Sequence, residues 1–140
     1  MTKPDTRSFG YSGTPLVKKL GIKSDSRIQF IAAPGQFPAL LGELPEGARV
    51  QRTGTLDFAI VFVKKVSELT RHFAALRDRL ETNGMLWVAW PKRTSDIETD
   101  LNENVVREHG LQCGLVDVKV CAIDDTWSGL KFVRRLKDRA

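Results

Sequence analysis

The chain has 140 residues, 41% of them hydrophobic, with a formal net charge of +5. That length suits one domain around one core, which buries about two-thirds of the unfolded surface. No run approaches the roughly 20 apolar residues of a membrane helix, residues 1–8 lack a secretion signal's apolar segment, and Cys113 and Cys121 lack Cys-x-x-Cys spacing, so a reducing, cytoplasmic setting is expected.

In chain order, residues 1–12 are expected to be a flexible segment, 13–135 one Rossmann-like α/β domain, and 136–140 a basic tail. A short helix opens the domain, with Thr14 as cap, Pro15 at the first helical position and Gly21 as the left-handed stop. Residues 27–33 read as a buried strand ended by Pro34 and Gly35, and 36–42 as a helical turn. Residues 49–52 make a short strand near an edge. The run 58–63 is continuously apolar, as in a strand covered on both faces.

Val66, Leu69, Phe73, Leu76 and Leu80 then recur at spacings of three and four, one face of a helix closed by Asn83-Gly84. Residues 85–90 form another buried strand, stopped by Pro91. Trp87 and Trp90, three apart, point to opposite faces, one into the core and one outward at the strand's end. Asp100 and Glu103 have capping-box spacing for a helix that stops at Gly110 or Gly114, with Gly114 favoured. Two final strands, about 116–123 and 128–135, are joined by the turn 124–127.

This order implies an α/β fold: one open, doubly wound, mostly parallel sheet of Rossmann-like type, ending in an antiparallel hairpin. The excess positive charge is concentrated at 131–140, where five cations face Asp138 alone. With no aromatic beyond Phe132 interleaved, the run reads as a solvated terminus before a nucleic-acid footprint.

The arrangement resembles a shortened class I methyltransferase fold, lacking the helix and strand after the second strand. That resemblance implies a glycine-rich turn for S-adenosylmethionine where this chain has Ala32-Ala-Pro-Gly-Gln-Phe37, with one glycine and a proline that removes an amide donor. It implies an acidic residue for the ribose hydroxyls where Gln51 and Arg52 stand, and a catalytic Asn/Asp-Pro-Pro-aromatic segment where Lys64 and Lys65 stand. Three further segments, 13–23, 86–92 and 114–133, are similar to a family of short bacterial proteins catalogued as domain of unknown function 3052. That resemblance implies a small bacterial cytoplasmic protein and no particular activity.

Ligands of open α/β sheets bind beyond the carboxyl ends of the strands. Those ends carry Lys64, Lys92, Arg93, Thr94, Ser95 and Trp127, which together suit a phosphate or carboxylate beside an aromatic wall. No catalytic residue, metal site or cofactor is assigned. His72 and His109 lack paired carboxylates, Cys113 and Cys121 read as small core residues without a His neighbour, and Asp124 as a turn residue. The expected function is a non-catalytic binding or regulatory module with an anion or nucleotide crevice, its partner a phosphate-containing small molecule and no membrane. The alternatives are a divergent methyltransferase-like enzyme and a nucleic-acid accessory protein.

Overall fold

The computed structural model describes residues 14–139, and the flexible segment expected over 1–12 lies outside them. Strands β1 (Arg27–Ile31), β2 (Arg49–Val50), β3 (Leu56–Phe62), β4 (Leu80–Pro91), β5 (Leu115–Ala122) and β6 (Trp127–Arg134) form one sheet in the order β2-β1-β3-β4-β6-β5. Strands β1 to β4 are parallel, and β6 runs antiparallel to both of its neighbours. The expected architecture is therefore present: a mostly parallel α/β sheet closed by an antiparallel pair.

The chain leaves β1 outward to β2 and then returns past it to β3, so strand order reverses between β1 and β3. Helices α1 (Leu16–Leu20) and α2 (Phe37–Leu41) cover one face, and α3 (Val66–Arg79) and α4 (Glu103–Gln112) the other. Alternation along β3 sends Phe58, Ile60 and Phe62 toward α1 and α2, while Ala59, Val61 and Val63 face α3 and α4. That is why the run is apolar without interruption. Leu69, Phe73 and Leu76 of α3 are all buried against it.

Trp87 and Trp90 do take opposite faces, but neither is exposed, at 0% and 5%. Burying Trp87 is tolerable because its indole N–H donates to the carbonyl of Leu20 at 2.8 Å. Trp90 is enclosed with Leu101 by the segment leading into α4. Helix α1 ends as its sequence predicts. Gly21 is left-handed at φ 90°, its N–H reaches Lys18 O and that of Ile22 reaches Val17 O, the paired bonds of a Schellman motif. Pro15 stands one position earlier than expected, as the N-cap.

Two helix boundaries differ from the sequence reading. Helix α3 stops at Arg79, and Leu80 passes straight into β4, where Asn83 and Gly84 lie in a register irregularity. Leu80 is held in the core opposite Leu56, and Arg134 supplies the cap, its Nη2 donating to the carbonyls of Arg77 at 2.9 Å and Leu80 at 2.8 Å. Asp100 does not cap α4. Its Oδ1 accepts the N–H of Val66 at 2.9 Å, at the start of α3, and Asn102 caps α4 by accepting from Val105 at 2.9 Å. The favoured stop for α4 holds, with Gly114 at φ 90°.

The basic run is not a free tail. Lys131 and Arg134 belong to β6, Arg135 donates to Leu111 O near the end of α4, and Arg139 donates to Arg134 O beside the 3-10 turn Leu136–Asp138. Arg77 adds a bond to Cys113 O at 3.0 Å. The guanidinium groups of Arg77, Arg134 and Arg135 satisfy carbonyls that helix ends leave open, where positive charge also meets the negative end of the helix dipole.

Gly110 lies inside α4, against Phe132, and a Cβ there would overlap the ring. Gly110→Ala should therefore lower stability by about 1–3 kcal/mol despite a gain of about 1 kcal/mol in helix propensity, measured by chemical denaturation. His109 of α4 stacks edge-on with Phe73 at 5.3 Å and lies 3.6 Å from Cys113 Sγ, a His neighbour the sequence reading did not assign to that thiol. Burial depresses the imidazole's pKa below its ordinary 6.5. The unfolded chain thus binds the proton more readily, so stability is full above pH 6.5 and is lost as the pH falls through the folded value. The unfolding midpoint should drop between pH 7 and 5, and His109→Leu should flatten part of that drop.

Candidate functional site

A cleft of about 610 Å³ opens where strand order reverses, at the carboxyl ends of β1 and β3. Its near wall begins with Ala32, the residue after β1, whose φ of 58° is rare for a side chain with a Cβ. The chain then turns through Pro34 and Gln36 into α2, with Phe37 N–H bonded to Pro34 O at 2.9 Å.

The floor is aromatic. Phe30, Phe37, Phe62 and Trp127 form a row of edge-to-face contacts, with successive centroids 5.4, 5.0 and 5.2 Å apart. Phe62 and Trp127 both reach the cleft. Trp127 does not project from the hairpin as a free wall. It is 5% exposed and packed on Phe62. Asp124 fixes the turn before it, its Oδ1 accepting the N–H groups of Thr126 and Trp127, each at 2.8 Å.

The rim comes from Lys64 and the first turns of α3, where Glu68, Arg71 and His72 follow at helical spacing. Glu68 Oε1 accepts the backbone N–H of Lys64 at 2.7 Å, which spends part of that carboxylate on the helix start. Among the described residues, the side chains of Lys64, Arg71 and His72 have no ion-pair partner. The cleft therefore offers nitrogen donors over an aromatic floor.

Of the six residues singled out from sequence, Lys64 and Trp127 line this cleft. Lys92 and Arg93 line a second depression of about 530 Å³, with Trp90, Asn102 and Ser128 beside the start of α4. Ser95 closes a turn, its N–H and Oγ both donating to Lys92 O at 3.0 and 2.9 Å, and Thr94 lies within that turn. The turn folds back on Lys92 and so parts the two pairs. Sequence reasoning missed Glu68, Arg71 and His72. Their positions four, seven and eight residues after Lys64 were the available signal, since they fall on one helix stripe beside a strand end.

The segments that the methyltransferase resemblance makes important have other duties here. Gln51 Nε2 donates to Thr53 O and Thr55 O at 3.0 and 2.9 Å, closing the loop after β2. Among the described residues, no three His, Cys, Asp or Glu side chains gather as a metal-binding group, and no helix is long and apolar enough to cross a membrane.

Comparison with solved structures settles the fold. The chain is similar to a SAM-dependent methyltransferase from Aquifex aeolicus, at 14% identity and a TM-score of 0.59, covering 84% of this chain and 86% of that one. The fold is that of the SAM-dependent methyltransferases. Precorrin-6y C5,15-methyltransferase from Geobacter metallireducens gives a TM-score of 0.61 at 10% identity, with 86% of each chain covered. Fibrillarin from Aeropyrum pernix, solved with natively bound S-adenosyl-L-methionine, gives 0.56 at 14% identity, covering 89% of this chain and 71% of that one. No family model matches the chain, and no curated protein matches it in sequence. At such low identity the likeness to methyltransferases is one of fold.

Asp124→Ala removes both acceptor bonds beneath Trp127 and should cost about 1–2 kcal/mol, while Asp124→Asn, which keeps a carbonyl oxygen, should cost less. Denaturation midpoints of the two variants check this.

Proposed function

We propose that the cleft between β1 and β3 binds a small molecule combining an anionic group, phosphate or carboxylate, with a flat apolar part, and that the protein acts as a binding or regulatory module. One observation carries this reading: among the described residues, Lys64, Arg71 and His72 stand without ion-pair partners around a floor made by Phe62 and Trp127. Arg71 can grip an oxyanion through two parallel bonds, Lys64 adds a point charge, and a ring lying against Trp127 would continue the aromatic row. A nucleotide meets all three requirements. Lys92, Arg93, Thr94 and Ser95 join the site only for a ligand that extends around the start of β6 into the second depression. Membership of the short bacterial family suggested by the three segments belongs to the same proposal.

The second reading is methyl transfer from S-adenosylmethionine, favoured by the fold and by neighbours solved with that ligand. Against it stand the Ala32–Pro34 turn, which has a Cβ and an absent amide donor where close backbone approach is needed, and Gln51 in place of a ribose-binding acid.

Thermal unfolding separates the two readings, because a ligand bound only by the native state raises the midpoint, by about 2.7 kcal/mol in stability at 100 times its Kd. Adenosine mono- and diphosphate at millimolar concentration should raise it, S-adenosylmethionine should not, and Lys64→Ala with Arg71→Ala should abolish the rise. A shift with S-adenosylmethionine alone, lost in the same variant, overturns the binding-module reading in favour of the enzyme.

A further inference from the structure

Away from the cleft, on the face of the sheet covered by α1, positive charge is crowded in a way that the fold does not require. Lys119 of β5 and Lys131 of β6 are direct cross-strand partners. Like charges in that position cost stability. Lys131 is half-buried, and its ammonium lies 3.7 Å from where a Cβ on Gly21 would stand, at the end of α1. Burial first, and then the charges of Lys119 and Lys23, pull its pKa below the ordinary lysine range. Among the described residues, none of the three lysines has a carboxylate partner.

A structural duty accounts for only one of them. The carbonyls at the end of α1 are already engaged: Gly21 N–H takes Lys18 O, Ile22 N–H takes Val17 O, and Lys119 Nζ takes Lys19 O at 2.8 Å. Lys131 and Lys23 are left, among the described residues, as cations whose ammonium groups have no hydrogen-bonding acceptor, beside a third. We propose that Lys23, Lys119 and Lys131 form an anion site for the phosphate groups of a polyanion, separate from the β1–β3 cleft.

The residue types define the ligand. Lysines are point charges with freely turning donors, so they hold phosphate through charge and without the planar geometry of an arginine fork. The buried Trp87, opposite Lys131 in register, cannot stack on a base. The site therefore recognises charge and not sequence, as given by a nucleic-acid backbone or an inorganic polyphosphate.

The test is binding of a fluorescein-labelled oligothymidylate by the whole chain across a salt series, with tripolyphosphate as competitor. Three phosphates held by three lysines give a slope of log affinity against log salt near −2, at about −0.7 per phosphate on a single strand. Lys131→Met, which keeps the aliphatic bulk, should reduce that slope by about a third, weaken binding several-fold and raise the unfolding midpoint by relieving repulsion. The surface variant Lys23→Gln with Lys119→Gln should weaken binding further, and Lys64→Ala with Arg71→Ala should leave it intact. Displacement by tripolyphosphate identifies a general polyphosphate site, and resistance to it identifies a nucleic-acid backbone site. Unchanged affinity and slope in both lysine variants, loss confined to the Lys64–Arg71 variant, or no binding of either probe at low salt would each overturn the proposal.

Discussion

The structure depends on β3 and β4 being closed to water on both faces at once. From Phe58 to Val63 and from Leu86 to Trp90 every side chain is buried, so neither layer over the sheet can be dispensed with. The layers are unequal. Helices α3 and α4 cover one face with ordinary apolar stripes, whereas α1 and α2 have five residues each and cannot. Large rings make up the shortfall, with Phe37 of α2 joining Phe62, Trp87 and Trp127 of the sheet in one apolar layer. Each edge-to-face pair adds about 0.5–1.5 kcal/mol beyond the area it buries. The floor of the cleft is thus the same apolar layer that seals the sheet, and a bound ring would be an extension of the core.

The loop behind β2 limits how far that strand can run. Six residue steps separate Val50 from Leu56 and reach about 20 Å at most. Crossing two strand spacings takes about 10 Å of this. Val50 and Phe58 both lie level with Ile28, so the chain must also descend two residues before β3 begins. Every residue added to β2 would lengthen that descent by about 3.3 Å. Gln51 ties the loop to itself, and Arg79 holds it from α3 through a 2.9 Å bond to Gly54 O. The loop after β2 is thus short and tied at both ends, which holds the sheet edge in place.

What the sequence made legible was what short-range periodicity controls. The apolar run of β3, the three-and-four spacing of α3 and the left-handed glycines at 21 and 114 read correctly because each signal lies within its own element. The misplaced boundaries were set from a distance. The end of α3 is capped by Arg134, 54 residues beyond Leu80, and Asp100 serves a helix that begins 34 residues before it. Spacing cannot reveal which helix a carboxylate will cap. The site was legible to the same degree. Strand ends pointed to Lys64 and Trp127, but Arg71 and His72 occupy polar positions of α3 that look solvent-facing until the cleft is seen beside them. Lys92 and Arg93 occupy a strand end too, and only the turn closed by Ser95 sends them to the other side.

The position of β6 carries a consequence for how the chain is made. It is the last strand in sequence yet lies inside the sheet, between β4 and β5, and two of the arginines that finish α3 and α4, Arg134 and Arg135, lie on it or directly after it. A nascent chain that has reached only β5 has a gap where its sheet should be continuous and two helices with open carbonyl ends. Synthesis proceeds from the N-terminus, and domains fold as units. The parallel strands must therefore wait, with the edge of β4 unpaired, until the residues of β6 leave the ribosome. In that interval the open edge of β4 is the place most exposed to wrong pairing.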